Sequence, residues 1–139
     1  MLLSGGCPGG KVTPIDTESQ FQTLTVQSEV PVLVDFYKAG CATCIPLDGI
    51  MDTLAEEYRG RAVVAKFELM SPVFIVKSGE IKDRHNIDFF PTTILFVNGK
   101  AVNRWVIHYN IDDYRRALDD AIAAMKSASP RAVDPSRIP

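Results

Sequence analysis

The chain has 139 residues, 46% of them hydrophobic and 23% charged, which is enough for one domain with a real core and too little for two comfortable ones. A formal net charge of −2, from 15 basic and 17 acidic side chains, gives no electrostatic case for nucleic acid or an anionic membrane surface as a partner. No apolar run approaches the roughly 20 residues needed to span a bilayer, and three cysteines cannot all pair within one chain, which argues against a multi-bridge secreted scaffold.

The first stretch, residues 1–14, reads as a flexible Gly-rich leader. Within it Leu3-Ser4-Gly5-Gly6-Cys7 loosely resembles the end of a bacterial lipoprotein signal, although its leucine lies one place too far from the cysteine and no charged or long apolar region precedes it. Two compartments stay open: cytoplasmic, or exported or lipid-anchored if Cys7 ends a truncated signal. Thr17-Glu18-Ser19-Gln20 has the spacing of a capping box and predicts a short helix over 17–28. Val30 to Tyr37 is a β-branched and aromatic run, suited to a central strand covered on both faces and interrupted only by Asp35. Leu47, Ile50, Met51, Leu54 and Tyr58 recur at helical spacing, predicting a helix over 41–58 that Gly60 ends.

Residues 62–69 read as a second strand, 70–79 fit no single period, and 80–87 form a short helix. Thr92 to Val97 and Ala101 to Ile107, joined by Asn98-Gly99, predict a hairpin, because that dipeptide tolerates the positive φ angles of a type I′ turn. A last helix over 112–125 places Tyr114, Leu118, Ala121, Ile122 and Met125 on one face. Residues 127–139, with three prolines and few large side chains, read as a disordered tail. This order of elements implies an α/β domain over 15–126, with a central mixed β-sheet flanked by helices on both faces.

Cys41-Ala42-Thr43-Cys44 follows the first strand directly and opens the second helix. Two thiols three positions apart can close a small disulfide ring, and a helix N-terminus favours the thiolate that attacks. A zinc site is the chemical rival, but it needs two more ligands, and His85 and His108 share no ligand-like spacing. No metal and no bound cofactor is therefore expected.

Val34-Asp35-Phe36-Tyr37, Cys41-Ala42-Thr43-Cys44, Val64-Ala65-Lys66, Phe90-Pro91-Thr92 and Phe96-Val97-Asn98-Gly99 occur in the order, and at nearly the spacing, of the thioredoxin family, which the chain resembles over roughly residues 15–126. The resemblance implies a thioredoxin-like fold and a thiol–disulfide oxidoreductase of the protein-disulfide-reductase type. It implies Cys41 as the exposed attacking cysteine and Cys44 as its buried resolving partner. Asp35 is implied as the buried acid that takes the Cys44 proton, and Lys66 as its neighbouring lysine. It also implies a cis proline at Pro91, whose preceding residue, Phe90, offers its backbone to a substrate strand. Gly40, Ala42, Thr43, Phe90, Pro91, Thr92, Ile107 and His108 would line the substrate groove. Implied partners are protein disulfides and dithiols and a reductase that supplies electrons, to a chain expected to be monomeric.

The departures are specific. Gly40 stands where the family has a tryptophan, Ala42-Thr43 replace its Gly-Pro, and Ile107 stands at its small groove glycine. Pro46 removes a backbone donor early in the second helix and predicts a kink or a late start. Gly40 and Ile107 leave a second reading open, a thioredoxin-like binding module that uses the Phe90-Pro91 groove with slow or absent thiol turnover.

Overall fold

The structure, a computed structural model, describes residues 10–71 and 77–128. Its elements are β1 (Thr13–Ile15), α1 (Glu18–Gln27), β2 (Val32–Lys38), α2 (Ile45–Glu57), β3 (Val63–Met70), α3 (Gly79–Arg84), β4 (Thr92–Val97), β5 (Lys100–Val106) and α4 (Ile111–Ala128). The sheet has five strands in the order β1-β3-β2-β4-β5. β1 and β2 run parallel to β3, whereas β4 runs antiparallel to β2 and β5 antiparallel to β4.

β2 lies at the centre, and its sequence explains why. Val32, Leu33, Val34 and Phe36 are all fully buried, as a strand covered on both faces requires. Alternation splits them between two cores. Leu33 joins Leu47, Met51, Leu54, Tyr114 and Leu118 beneath α2 and α4. Val32, Val34 and Phe36 join Phe21, Phe67, Ile81 and Phe96 beneath α1 and α3. Removing either set locally, for example Leu33→Ala, costs about 2–5 kcal/mol through lost burial and the cavity left behind. Asp35 shares the Leu33 face, so it points under α2.

The caps follow the local sequence. Thr17 Oγ1 accepts from Gln20 N at 3.1 Å and Gln20 Oε1 accepts from Thr17 N at 3.1 Å, the reciprocal bonds of a capping box. Asn98 and Gly99 carry φ of 53° and 82°, so the β4–β5 turn has the two positive angles its dipeptide suits. α2 starts at Ile45 with Cys44 as its N-cap and Pro46 in the first helical positions. This is the late start that Pro46 predicted, and it leaves Cys41 to Thr43 in the turn before the helix and not inside it.

Two features depart from the sequence expectations. Thr13–Ile15 pairs with Ala65 to Phe67 as an edge strand, which takes in the last two residues of the segment read as a leader. Three residues with a central proline give no strand pattern by themselves, and only the exposed edge of β3 makes the pairing available. α4 continues to Ala128, into the first residues of the stretch read as a tail. The lipoprotein-like segment around Cys7, the Pro72 to Val76 stretch and residues 129–139 lie outside the described residues.

Candidate active site

β2 ends at Lys38, and the chain reverses through Ala39 and Gly40 before reaching the two cysteines. Gly40 has φ of 76°, a backbone conformation that a side chain would strain. Ala39 N–H donates to Met70 O at 3.1 Å, which ties this turn to the end of β3. Cys44 N–H donates to Cys41 O at 3.1 Å, closing a tight turn just before α2.

The thiols are unbonded to each other, and their surroundings differ. Cys44 is 5% exposed, and burial, reinforced by its hydrogen bond to Cys41 and by the charges of Cys41 and Asp35, pushes its thiol up to about 12. Cys41 is half-buried. Its partial burial opposes ionisation, but hydrogen bonds from the Cys44 and Thr43 side chains and from their backbone outweigh that, so its thiol lies below the ordinary value. One sulfur is thus disposed to attack at moderate pH while the other holds its proton.

Beneath them, Asp35 is 2% exposed and its Oδ1 has no hydrogen-bond partner. Burial, helped by the charge of Asp48 in the first turn of α2, raises its carboxyl to about 7, against the opposing pull of Lys66. Lys66 is the residue directly opposite Asp35 in the β2–β3 register, with its own side chain exposed.

The wall facing the thiols is the loop before β4. The Phe90–Pro91 bond is cis, and Pro91 is buried. Phe90 O accepts from Thr43 Oγ1 at 2.8 Å and lies 3.8 Å from Cys41 Sγ. Cys41, Thr43, Phe90 and Pro91 are therefore brought together. Ile107 joins them, because its N–H donates to Pro91 O at 2.9 Å, and it does so with φ of 50° and its side chain 41% exposed. Gly40 and Ala42 are exposed in the turn.

Thr92 and His108 are placed differently from expectation. Thr92, expected on the groove rim, is fully buried, because its hydroxyl turns inward to Phe89 O at 2.6 Å. His108, expected on the rim as well, lies 2.6 Å through Nε2 from Asp113 Oδ2 and so faces the first turn of α4. Sequence reasoning also missed Tyr109, whose hydroxyl donates to Thr43 O at 2.5 Å. Tyr114 holds this loop in place. It packs on Trp105 with ring centroids 4.7 Å apart and donates to His108 O at 2.6 Å. Ile45, Phe89, Ile107 and Tyr109 are large apolar side chains left exposed next to these contacts. No cluster of three or more histidine, cysteine or acidic side chains suited to a metal lies among the described residues. No helix among them is long and apolar enough to cross a membrane.

The thioredoxin family model matches residues 12–120. The chain belongs to the thioredoxin family. A thioredoxin of Chlorobaculum thiosulfatiphilum is 31% identical over 90 residues, covering 65% of this chain and 78% of its own. One from Rickettsia felis is 33% identical over 84 residues, covering 60% and 74%. Among solved structures, a mutant thioredoxin of Halobacterium salinarum NRC-1 superposes with a TM-score of 0.71 at 22% identity over 85% of this chain and 96% of that one. The thioredoxin of Trypanosoma brucei brucei gives 0.69 at 19% identity over 88% and 99%. These structural likenesses establish a thioredoxin fold, the mixed sheet with helices on both faces. With family membership and both cysteines of Cys41-Ala42-Thr43-Cys44 in place, the chain is a thiol–disulfide oxidoreductase acting on protein disulfides.

Proposed function

We propose that this thioredoxin-family chain reduces protein disulfides with Cys41 as nucleophile, Cys44 as resolving thiol and Asp35 as the internal base. The observation that carries the reading is the contrast between the two sulfurs. Cys41 is accessible and held below its ordinary pKa, whereas Cys44 is buried, protonated and subject to the Asp35 charge.

In the first step Cys41 thiolate attacks one sulfur of the substrate disulfide. A Cys41–substrate disulfide forms, and the other substrate sulfur leaves as a thiolate that takes a proton from solvent. In the second step Asp35 accepts the Cys44 proton as Cys44 sulfur attacks Cys41 sulfur. The Cys41–Cys44 bond forms and the second substrate thiolate departs. Two electrons pass to the substrate, and a dithiol supplied by a partner reductase returns them. A carboxyl near 7 matches this duty, because it is a competent base and a releasable acid around neutral pH. Lys66 helps to hold it there from the neighbouring strand.

Docking is by the Phe90 backbone beside Pro91 and by the groove residues Gly40, Ala42, Thr43 and Ile107, framed by the exposed apolar side chains Ile45, Phe89 and Tyr109. This rim suits a disulfide flanked by apolar residues in an extended segment. We place the protein as a monomer in the cytoplasm, where a reductase can keep its pair reduced. Fractionation of the native host checks the compartment.

Insulin reduction with dithiothreitol as donor tests the mechanism. Wild-type protein is expected to accelerate precipitation, Cys41→Ser to abolish the acceleration, and Cys44→Ser to accumulate a mixed disulfide that a thiol releases. Turnover that survives loss of Cys41 would overturn the proposal.

A further inference from the structure

The Thr43 hydroxyl has two acceptors within reach and one proton to give. Its Oγ1 lies 2.8 Å from Phe90 O and 3.0 Å from Cys41 Sγ. A hydroxyl carries one donor and two lone pairs, so the ionisation state of Cys41 decides where that donor points. When Cys41 is a thiol, its S–H donates to Thr43 Oγ1 and the Thr43 O–H is free to donate to Phe90 O. When Cys41 is a thiolate, its sulfur only accepts, and a charge-assisted bond outcompetes a neutral one. The hydroxyl then turns to sulfur. Only its C–O torsion has to rotate, since Tyr109 holds the Thr43 carbonyl at 2.5 Å and fixes the backbone.

We propose that the Thr43 hydroxyl gates docking: it caps the Phe90 carbonyl while Cys41 is protonated, and leaves that carbonyl open to a backbone N–H of an extended disulfide-bearing peptide once the thiolate forms. The proposal rests on the reductase reading above, in which the Phe90 backbone pairs with substrate. The Cys41 proton leaves to solvent, to which the side chain is partly open. In the mixed disulfide the Cys41 sulfur is neutral and a weak acceptor, so the Thr43 O–H is released to compete for Phe90 O and favours departure of the peptide. The enzyme therefore accepts a peptide strand best when its nucleophile is armed.

Cys44 on the same turn bonds to Cys41, Asp35 and the Lys38 backbone from β2 act on Cys44, Asp48 in the first turn of α2 acts on Asp35, and the Tyr109 hydroxyl from the β5–α4 loop bonds to Thr43 O. Asp35 also titrates, so the measurement is made with and without it.

The test follows the Cys41 ¹³Cβ and Phe90 ¹³C′ shifts against pH in reduced full-length protein, for wild type, Thr43→Val, Thr43→Ser and each in an Asp35→Asn background. In wild type the Phe90 carbonyl is expected to move with the Cys41 midpoint. Thr43→Val, nearly isosteric, is expected to raise that midpoint by about one pH unit, a tenfold loss of thiolate below it, and to leave the carbonyl fixed. Thr43→Ser restores both. A Phe90 carbonyl that ignores Cys41 in wild type, or follows it equally in Thr43→Val, overturns the gate. Insulin turnover on the same samples separates the two ideas. Turnover without coupled shifts removes the gate alone, whereas coupled shifts without turnover uphold the switch and remove the reductase reading.

Discussion

Asp35 faces Lys66 across the parallel β2–β3 pair and Thr93 across the antiparallel β2–β4 pair, at the centre of the sheet and under the start of α2. A carboxyl so placed, 2% exposed and with one oxygen unpaired, opposes the stability of the fold whenever it is ionised. The same burial suits it to proton transfer. Stability and catalysis therefore act on this residue in opposite directions, and the two can be measured separately.

The folded-state pKa of Asp35, about 7, lies above the unfolded value of 3.8. The native state then binds the extra proton between those values, and stability falls as pH rises from about 4 to about 7 and is flat above. Asp35→Asn removes this penalty. Urea unfolding at pH 8 is expected to show the variant more stable than wild type by roughly 2–4 kcal/mol, since each pH unit that separates the folded and unfolded pKa is worth about 1.4 kcal/mol, with the gap narrowing towards pH 4. Mixed-disulfide resolution at pH 7 is expected to slow by at least about tenfold, towards the general-base range, while formation of the mixed disulfide changes little. Equal slowing of both steps would remove Asp35 from its role.

Two charges tune that carboxyl from opposite sides. Asp48 raises the Asp35 pKa and Lys66 lowers it. Asp48→Asn is expected to move the pH midpoint of resolution down by roughly half a pH unit, and Lys66→Met to move it up by about as much. Stopped-flow rates of substrate release between pH 5 and 9 report both. Midpoints that move in the same direction in the two variants would mean that the profile does not follow Asp35.

His85 predicts a separate acid limb. Its ring packs among Phe21, Phe36 and Phe96, with centroids 6.0, 6.4 and 5.4 Å away, and burial, with the charges of Arg84 and Arg104, depresses its pKa. The unfolded chain then takes up the proton first, so this contribution to stability is present above the unfolded pKa of about 6.5 and is lost as pH falls towards the folded value. Its sign is opposite to that of Asp35 over the same range. Phe in place of His85 keeps the aromatic packing and cannot titrate. Comparing urea midpoints at pH 7.5 and 5, the variant is expected to lose less stability on acidification than wild type, and an identical loss would show that His85 takes up its proton equally in the folded and unfolded chains, so that the fold does not depress its pKa.

Much of this frame is legible from local sequence, because single residues determine it. Thr17 and Gln20 cap α1, Asn98-Gly99 turns the hairpin, Pro46 delays α2, and the apolar run of β2, interrupted only by Asp35, demands cover on both faces. What escapes local reading depends on distant contact. β1 exists only because the edge of β3 is open to it. The bonds of Thr43 to Phe90 and Tyr109 join residues 47 and 66 positions apart, and neither a threonine in a turn nor a tyrosine in a loop announces such a partner. Thr92 misleads for a related reason. Its place beside the proline suggests the groove, but a hydroxyl that satisfies itself on Phe89 O has no need of solvent and turns inward.

Ile107 offers the sharpest separation of groove shape from stability. A β-branched residue at φ of 50° is strained by roughly 1–2 kcal/mol, and glycine relieves that strain at an entropic cost of about 0.5–1 kcal/mol. The two nearly cancel, so Ile107→Gly is expected to change the urea midpoint little, within about 1 kcal/mol of stability. The exposed side chain, however, stands beside Pro91 at the wall where a peptide would lie. Its removal is expected to raise kcat/KM for insulin several-fold, through KM, by admitting bulky residues next to the disulfide. Ile107→Asn, which also tolerates positive φ, provides the control. It relieves the backbone and keeps a side chain in the groove, so it is expected to stabilise the protein by about 1 kcal/mol with little gain in KM. If Asn and Gly improved insulin reduction equally, backbone strain and not side-chain bulk would be the feature that limits substrate entry.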